Sequence, residues 1–287
     1  MSSRLRARAS GASPEEATEA LEIDLLLAGV ARHSGYDFRG YARAAMRGRV
    51  RQAVLQEGVA SASTLQERVL RDEAALNRFV AIVALRRAPM FSNPEMYLAF
   101  RREVVPLLRT YPFTGIWVAG CSMGEELYSL AILLHEEGLL GRCRLYATDM
   151  SDALVGRASE GRFALSDMLD FAVAYQQAGG CQDFAAFYRR EGDFAVFEEH
   201  LRRNVVFSKH NLVSDGAFNE FQVVVCRNLM RDLDPQLRER VQNILHASLV
   251  RLGVLALGAR ESLSGTDLEG CYRQLSTTRV GLYRRMR

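Results

Sequence analysis

The chain has 287 residues, of which 48% are hydrophobic and 25% are charged, a balance that excludes disordered and fibrous classes. Its 37 Lys and Arg residues stand against 34 Asp and Glu residues, and the resulting formal charge of +3 does not indicate nucleic-acid binding. The five cysteines form no C-x-x-C pair, which argues against a disulfide framework or a metal site and favours a reducing, cytoplasmic location. No uninterrupted apolar run of about 18 residues occurs, so we expect no membrane insertion.

The first part of the chain predicts helices and no strands. Residues 1–17 are small, polar and basic, and they predict a disordered tail. Residues 18–86 carry apolar side chains at helical spacing and predict a small all-helical domain. Within it we expect one helix that ends near Gly35, a second over 38–56, and one or two more over 63–84.

Residues 87–287 have a different texture, in which short apolar runs alternate with amphipathic segments. This alternation predicts an α/β domain with a mostly parallel, doubly wound sheet. One of its helices is predicted over 235–252. Residues 163–200 interrupt the alternation and predict an insertion of extra helices with a short β excursion near its end. The predicted sheet strands are Ile116–Ala119, Arg144–Thr148, Asn204–Ser208, Gln222–Cys226, Val254–Gly258 and Val280–Arg284.

A glycine-bounded turn, Gly120-Cys121-Ser122-Met123-Gly124, follows the first predicted strand and leads directly into a helix. Glycines allow a ligand to approach the backbone closely, and the helix N-terminus offers free N–H groups. The pattern is not G-x-G-x-x-G, so a dinucleotide pyrophosphate fits poorly. Glu125 and Glu126 in the first helical turn would repel a phosphate but would hold a cationic amine.

Asp149 ends the second predicted strand, 25 residues after Gly124. An acidic residue at this place commonly accepts hydrogen bonds from ribose hydroxyls. A nucleoside with a cationic amino-acid end and no phosphate is S-adenosylmethionine. The alternative is purely structural, with Glu125 favoured by the helix dipole and Asp149 capping the next helix.

The segment from Gly120 to Ser129, GCSMGEELYS, resembles the G-C-S-T-G-E-E-x-Y-S signature of the CheR-type chemotaxis receptor methyltransferases. Four further motifs follow in the family's order: A-T-D at 147–149, H-N-L at 210–212, C-R-N at 226–228 and G-x-x-E-S-L at 258–263. Residues 36–41 are similar to the family's helical N-terminal domain. The resemblance covers about residues 20–287.

The resemblance implies a Rossmann-like methyltransferase sheet with helices on both faces and an antiparallel last strand, preceded by a helical receptor-recognition domain. It implies that the protein transfers a methyl group from S-adenosylmethionine to glutamate side chains of a chemoreceptor, forming methyl esters. We expect the protein to be a monomer. The cofactor-binding residues that it implies are Gly120, Gly124, Glu125, Asp149, Asn211, Leu212, Asn228 and Leu229.

A glutamate carboxylate, with an ordinary pKa of about 4.3, is already ionised at pH 7 and needs no base to attack the methyl group. None of the histidines is therefore assigned a catalytic role. Proximity, orientation and exclusion of water would supply the rate.

Arginines recur every four residues at Arg39, Arg43, Arg47 and Arg51, with Arg49 beside them. On a helix this spacing places the four on one face. A charged face of this kind is often only a solvated surface. In the family, however, this helix faces the acidic methylation segments of receptors, and we therefore predict that these arginines bind an acidic receptor helix.

Three residues depart from the family's pattern within the expected pocket. Ser92 replaces an arginine, Asp232 replaces a tyrosine that lines the active site, and Met123 replaces a threonine. An ionised Asp232 is expected to repel a substrate carboxylate.

Two hypotheses follow from these departures. In the first, the protein is an active methyltransferase in which Arg86, Arg87 or Arg231 supplies the missing cation. In the second, it is a degenerate methyltransferase that binds a receptor, a partner or a nucleotide-like ligand without methyl transfer. Residues 163–197 show no convincing β-subdomain of the family type, and their helical pattern suggests an independent or different way of docking to a receptor.

Overall fold

The computed structural model describes residues 13–276 and 280–287, which form two compact units. The first unit contains the residues up to Val83 together with the distant segment Asp232–Leu237. The second contains Ala84–Arg231 and Arg238–Arg287. The helical unit is therefore built from two separate stretches of the chain.

The helices of the first unit are α1 (Pro14–Ser34), α2 (Arg43–Glu57), α3 (Ala62–Arg71) and α4 (Glu73–Ala84, whose last residue belongs to the second unit). Helix α1 starts with a capping box, in which the Ser13 hydroxyl accepts from the Glu16 N–H and the Glu16 carboxylate accepts from the Ser13 N–H. The prediction of a disordered tail is therefore wrong for residues 14–17, and its residues 1–12 lie outside the described part. As predicted, α1 ends near Gly35: its last residue is Ser34, and Gly35 caps it with a left-handed φ of 79°.

Helix α2 begins at Arg43, so the predicted helix over 38–56 is wrong at its start. The Ala42 N–H donates to the Asp232 carbonyl, and the Asp234 N–H donates to the Gly40 carbonyl, both at 2.7 Å. This extended pairing is incompatible with a helix over 40–42. Apolar side chains from the four helices form the core of this unit, among them Leu26, Val30, Met46, Leu65 and Phe79.

The described residues of the second unit form ten strands, and seven of them make one sheet in the order β6-β2-β1-β7-β8-β10-β9. Strands β6, β2, β1, β7 and β8 are parallel, and β10 pairs antiparallel with β8, as predicted. The strands are β1 (Thr114–Ala119), β2 (Cys143–Asp149), β3 (Arg162–Ala164), β4 (Tyr188–Glu191), β5 (Phe194–Phe197), β6 (Val205–Lys209), β7 (Phe221–Cys226), β8 (Leu249–Leu257), β9 (Tyr272–Gln274) and β10 (Leu282–Arg285).

Helices accompany this sheet and bury its apolar residues; Ile116, Val118 and Val223 share one core with Leu130 and Leu133. The helix predicted over 235–252 ends at Ala247, because residues from Leu249 onward open β8. The helices are α5 (Pro94–Ala99), α6 (Val105–Leu108, after a π-helical turn at Phe100–Val104), α7 (Glu125–Glu136), α8 (Asp152–Glu160), α9 (Met168–Gln177) and α10 (Pro235–Ala247).

The inserted segment contains a small sheet of its own, in which the predicted β excursion at Phe194–Phe197 is one of three strands, so the insertion is less helical than its sequence suggested. Strands β3, β5 and β4 form a three-stranded antiparallel sheet, and α9 lies between β3 and β4 in the chain. The strands are only three or four residues long, too short for an alternating pattern to identify them. Phe163 and Phe197, buried in this segment, contact Tyr128 of α7.

Among the described residues, 13–276 and 280–287, no helix combines the length and apolarity that a bilayer-spanning segment needs.

Candidate functional site

The predicted cofactor residues follow four neighbouring parallel strands at their carboxyl ends. Gly120 follows β1, Asp149 ends β2, Asn211 follows β6 and Asn228 follows β7. Because carboxyl ends of parallel strands meet at one edge of the sheet, the structure brings these residues together. Ligands of open α/β sheets bind at such an edge.

The glycine turn after β1 has an unusual backbone that is fastened to β2. Gly120, Ser122 and Gly124 have φ values of 72°, 52° and 102°, all in the left-handed region. The N–H groups of Gly120 and Cys121 both donate to the Thr148 carbonyl at 2.8 Å. A Cβ on Gly124 would lie 3.3 Å from Ala158 of α8, so a side chain there would push the helix away. The turn is therefore held open before any ligand arrives.

Asp149 is 2% exposed, and backbone N–H groups hold its carboxylate in place. Its Oδ2 accepts from Ser122 N–H at 3.1 Å and its Oδ1 from Ser151 N–H at 3.2 Å. Burial raises the pKa of Asp149 above its ordinary value, while Arg86 and these N–H groups oppose that rise. Each carboxylate oxygen still has a second lone pair, so Asp149 keeps the capacity to accept from ribose hydroxyls.

Glu125 is 8% exposed in the first turn of α7, and burial raises the pKa of its carboxyl to about 7. A cationic group beside it would favour the ionised form. Glu125 and Met123 line a cavity of about 670 Å³. Arg87, Arg157 and Arg162 also line it, as do the acidic residues Glu160, Asp167 and Asp170. This mixture of both signs suits a zwitterionic group better than a phosphate.

Glu261 holds the loop after β7 in place. The sequence placed this residue in a family motif but did not indicate this role. One carboxylate oxygen accepts from the N–H groups of Asn228 and Gly258 at 2.9 and 2.7 Å. The other accepts from Met230 N–H at 2.7 Å. Asn228 has a φ of 60°, and a Cβ on Gly258 would lie 2.7 Å from the Glu261 carboxylate. Glu261 and Gly258 thus fix the strained position of Asn228, while the adjacent Leu229 is 4% exposed.

Asn211 and Leu212 lie in the loop after β6. Asn211 Oδ1 accepts from Val213 N–H at 3.0 Å, which closes a local turn. Leu212 is 7% exposed. The preceding His210 donates its backbone N–H to the Asp149 carbonyl at 3.0 Å, so this loop is tied to β2.

Ser92, where the family has an arginine, lies in a strained segment between Phe91 and Asn93, whose φ values are 54° and 59°. Arg227 donates to the Ser92 carbonyl at 2.7 Å and to Glu126 at 2.6 Å. The Ser92 hydroxyl is buried and has no hydrogen-bond partner in the part of the chain that the structure describes. Arg227 is already neutralised by Glu126, so it does not act as a free cation here.

Asp232 is not an isolated charge, because its Oδ2 lies 2.6 Å from Arg49 Nη2 within the helical unit. The side chains of Arg49 and Asp232 are 17% and 13% exposed. The cations predicted from the sequence were Arg86, Arg87 and Arg231, whereas the one that pairs with Asp232 here is Arg49. The pairing also removes Arg49 from the arginines that we expect to reach a receptor.

The other arginines of the predicted stripe have carboxylate partners in the same unit. Arg39 precedes α2, so it is not on the helical face, and it pairs with Asp37 at 2.7 Å. Arg43 lies 3.1 Å from Asp24, and its side chain is 81% exposed. Arg47 and Arg51 share Glu19, and their hydrogen bonds lower the pKa of that carboxyl to about 2.

The residues at the sheet edge fit S-adenosylmethionine. A glycine turn leaves room beside Gly120, a buried carboxylate ends β2, and a carboxyl at the start of α7 suits an amine. The fold and this site define a methyltransferase that uses S-adenosylmethionine, and comparison with known proteins supports the same class. Residues 87–280 match the CheR methyltransferase, SAM binding domain, and residues 21–82 match the CheR methyltransferase, all-alpha domain.

The chain belongs to the CheR methyltransferase family. It is 41% identical over 243 residues to Cher3 of Pseudomonas putida, whose name places it among methyltransferases; the match covers 85% of this chain and 89% of that protein. It is also 24% identical over 236 residues to the chemotaxis protein methyltransferase of Listeria monocytogenes, covering 82% of this chain and 87% of that protein.

Proposed function

We propose that this protein transfers the methyl group of S-adenosylmethionine to glutamate side chains of a chemoreceptor or a similar signalling protein. The observation that carries the proposal is the intact sheet edge, where Gly120, Asp149 and Asn228 keep their positions through backbone hydrogen bonds. A relative of similar length bears the name chemotaxis protein methyltransferase, which supports this substrate class.

The proposed methyl transfer needs no general acid or general base from the protein. When bound, S-adenosylmethionine would supply an electrophilic methyl group on its sulfonium. As the glutamate carboxylate donates the electron pair of the new C–O bond, the bond between sulfur and the methyl carbon would break, and its electron pair would stay on the departing S-adenosylhomocysteine. No proton has to move, since the nucleophile is already ionised. The protein's part is to orient the two reactants and to exclude water. Because Arg49 pairs with Asp232, the repulsion that the sequence analysis expected from Asp232 is reduced.

The helical unit contains a groove that suits an acidic amphipathic helix. A cavity of about 390 Å³ lies against α1 and α2, with an apolar lining that includes Ile23, Leu27 and Met46. Arg39, Arg43 and Arg47 also line it. The ion pairs of Arg39 and Arg43 are exposed, and such pairs contribute only about 0–1 kcal/mol, so carboxylates of a partner can replace Asp37 and Asp24 at little cost. We propose that a receptor helix places its apolar face in this groove.

A second candidate function is binding without methyl transfer. The replacement of the family's arginine by Ser92, whose hydroxyl is buried without a partner in the described residues, favours it. The two functions differ in one measurable property, the formation of a methyl ester.

The test is an assay with tritiated S-adenosylmethionine and a chemoreceptor cytoplasmic fragment, read as base-labile methanol. We expect incorporation into the fragment and none into a matched fragment whose methylation-site glutamates are glutamine. Replacement of Arg43 and Arg47 by glutamate should abolish incorporation at limiting receptor concentration while leaving S-adenosylhomocysteine binding intact. Normal S-adenosylhomocysteine binding with no base-labile product would favour the second candidate function.

A further inference from the structure

Arg86 stands at the start of the second unit, and its backbone is fastened to the glycine turn. Its N–H donates to the Ser122 hydroxyl at 3.2 Å, and the same hydroxyl donates to the Arg86 carbonyl at 3.0 Å. These two bonds fix the backbone of Arg86 beside the left-handed turn residue Ser122. The side chain of Arg86 therefore begins from a defined position at the cofactor edge.

The guanidinium group of Arg86 lies close to both Gly120 and Asp149. Its Nη1 is 3.5 Å from the place where a Cβ on Gly120 would be, and 4.0 Å from Asp149 Oδ2. The side chain is 11% exposed. Nη1 donates to the Ala84 carbonyl at 3.2 Å, whereas Nε is buried and has no partner in residues 13–276 and 280–287. A buried donor without an acceptor is costly. It belongs to the same guanidinium group whose Nη1 borders the space that Gly120 leaves without a side chain.

The chemistry of the ligand indicates what this donor would bind. A guanidinium matches a carboxylate with two parallel hydrogen bonds. S-adenosylmethionine carries a single carboxylate, on its amino-acid end, and Glu125 next to the turn suits the amine of that same end. The family's arginine, which would lie in this region, is Ser92 in this chain, and Arg227 is occupied by Glu126.

We propose that Arg86 is a cofactor-positioning residue that binds the α-carboxylate of S-adenosylmethionine, in place of the arginine that Ser92 has replaced. This proposal rests on cofactor binding and not on the identity of the methyl acceptor. On this proposal the cation of the family's arginine is not lost but supplied by Arg86, six residues before Ser92 in the chain.

The test is calorimetric titration of the full chain with S-adenosylhomocysteine and with its decarboxylated analogue, which keeps the amine but lacks the carboxylate. For Arg86→Gln we expect affinity for S-adenosylhomocysteine to fall about 10- to 100-fold, the range for a charge-assisted hydrogen bond, and affinity for the analogue to change less than about threefold. Arg86→Lys, which keeps the charge but not the planar fork, should show a smaller loss with the same selectivity. Arg109→Gln, an exposed arginine of the same unit that pairs with Glu137, is the matched control and should change neither affinity.

Equal losses for both ligands would overturn the proposal, because they would mean that Arg86 only neutralises Asp149 or supports the turn. Unchanged binding of S-adenosylhomocysteine by both Arg86 variants would overturn it as well. If Arg86→Gln does not fold, the selectivity of Arg86→Lys decides the matter. Normal, Arg86-dependent cofactor binding without methyl transfer would contradict the proposed function alone.

Discussion

The cofactor edge of the sheet and the arginine face of the helical unit are both charged, but their charges are held in different ways. At the sheet edge, Asp149 and Glu261 are buried and accept hydrogen bonds from backbone N–H groups. On the helical unit, Arg43 and Arg51 are largely exposed and pair with carboxylates at the ends of flexible side chains. Backbone donors cannot rearrange without moving a strand or a turn, whereas side-chain pairs exchange partners easily. The first region is therefore preorganised for one ligand, and the second is adaptable to a protein surface.

The largest effect is expected from replacing Glu261, because its carboxylate holds the loop after β7. This substitution tests whether the sheet edge is preorganised by buried carboxylates. Glu261→Ala leaves the N–H groups of Asn228, Gly258 and Met230 without their acceptor. We expect a loss of about 2–4 kcal/mol in the free energy of unfolding, since each buried unsatisfied donor costs about 1–3 kcal/mol. Urea denaturation measures this, and calorimetry should show that S-adenosylhomocysteine binding is lost.

The matched control is Glu269→Ala, whose carboxylate accepts only from the exposed Gly265 N–H among the bonds of the described residues. It should cost less than about 1 kcal/mol. Equal effects of the two substitutions would show that the loop is not held by Glu261.

Asp149→Asn tests whether the buried carboxylate itself contacts the cofactor. We expect the affinity for S-adenosylhomocysteine to fall by about 1.5–3 kcal/mol, the range for hydrogen bonds to a charged group. The control is Asp152→Asn, three residues further on, where the side chain is 71% exposed and pairs with Lys209. Unchanged affinity in Asp149→Asn would reduce Asp149 to a structural partner of the Ser122 and Ser151 N–H groups.

The helical unit contains two Arg–Asp ion pairs that have the same charges but differ in burial. Comparing their coupling free energies therefore measures the contribution of burial. A double-mutant cycle with alanine at Arg49 and Asp232 should give a coupling free energy of about 1–2 kcal/mol, because both side chains are mostly buried. The same cycle on the exposed pair Arg43 and Asp24 should give less than about 0.5 kcal/mol. Similar coupling in both pairs would contradict the distinction between fixed and exchangeable charges.

The pH dependence of cofactor binding tests the raised pKa of Glu125, which is about 7 because of burial. The folded protein holds a proton there that the unfolded chain has lost, so the cofactor-free protein should lose stability as pH rises from about 4.5 to 7. Binding a cationic amine needs the ionised carboxylate and should release that proton. Affinity for S-adenosylhomocysteine should therefore rise roughly fivefold to tenfold between about pH 6 and 7.5.

The measurement is calorimetry in two buffers of different ionisation enthalpy, which reports the proton released. Glu125→Gln should bind more weakly and without this rise. An identical pH profile in the variant would mean that another group titrates.

Much of the sheet edge was predictable because its residues belong to short patterns that the chain carries in order. Apolar runs identified β1, β2, β6 and β7, and Gly120 and Asp149 directly follow the first two predicted runs. Asn211 and Asn228 lie two residues beyond β6 and β7, and only the family motifs pointed to them. The backbone conformation of the turn was harder to predict. The sequence indicated that Gly120 and Gly124 are needed, but not that Ser122 adopts a left-handed backbone.

What the sequence did not reveal depends on contacts between distant residues. The role of Glu261 requires four backbone N–H groups that its own carboxylate brings together, and no spacing rule encodes it. The pair Arg49 and Asp232 joins residues 183 positions apart. The pairing of 40–42 with 232–234 turned the predicted start of α2 into extended chain, since tertiary hydrogen bonds override helix propensity.

The discontinuity of the helical unit limits how evolution, or an engineer, can exchange parts of this protein. A chimaera that joins residues 1–83 to the α/β portion of another relative would inherit a foreign sequence at 232–237. The ion pair of Arg49 and the hydrogen bond of the Ala42 N–H would then depend on the residue and the backbone that the relative supplies at position 232. Recombination within such genes must therefore keep two separated stretches together. The specificity of the helical unit and the stretch between β7 and α10 should be inherited as one trait.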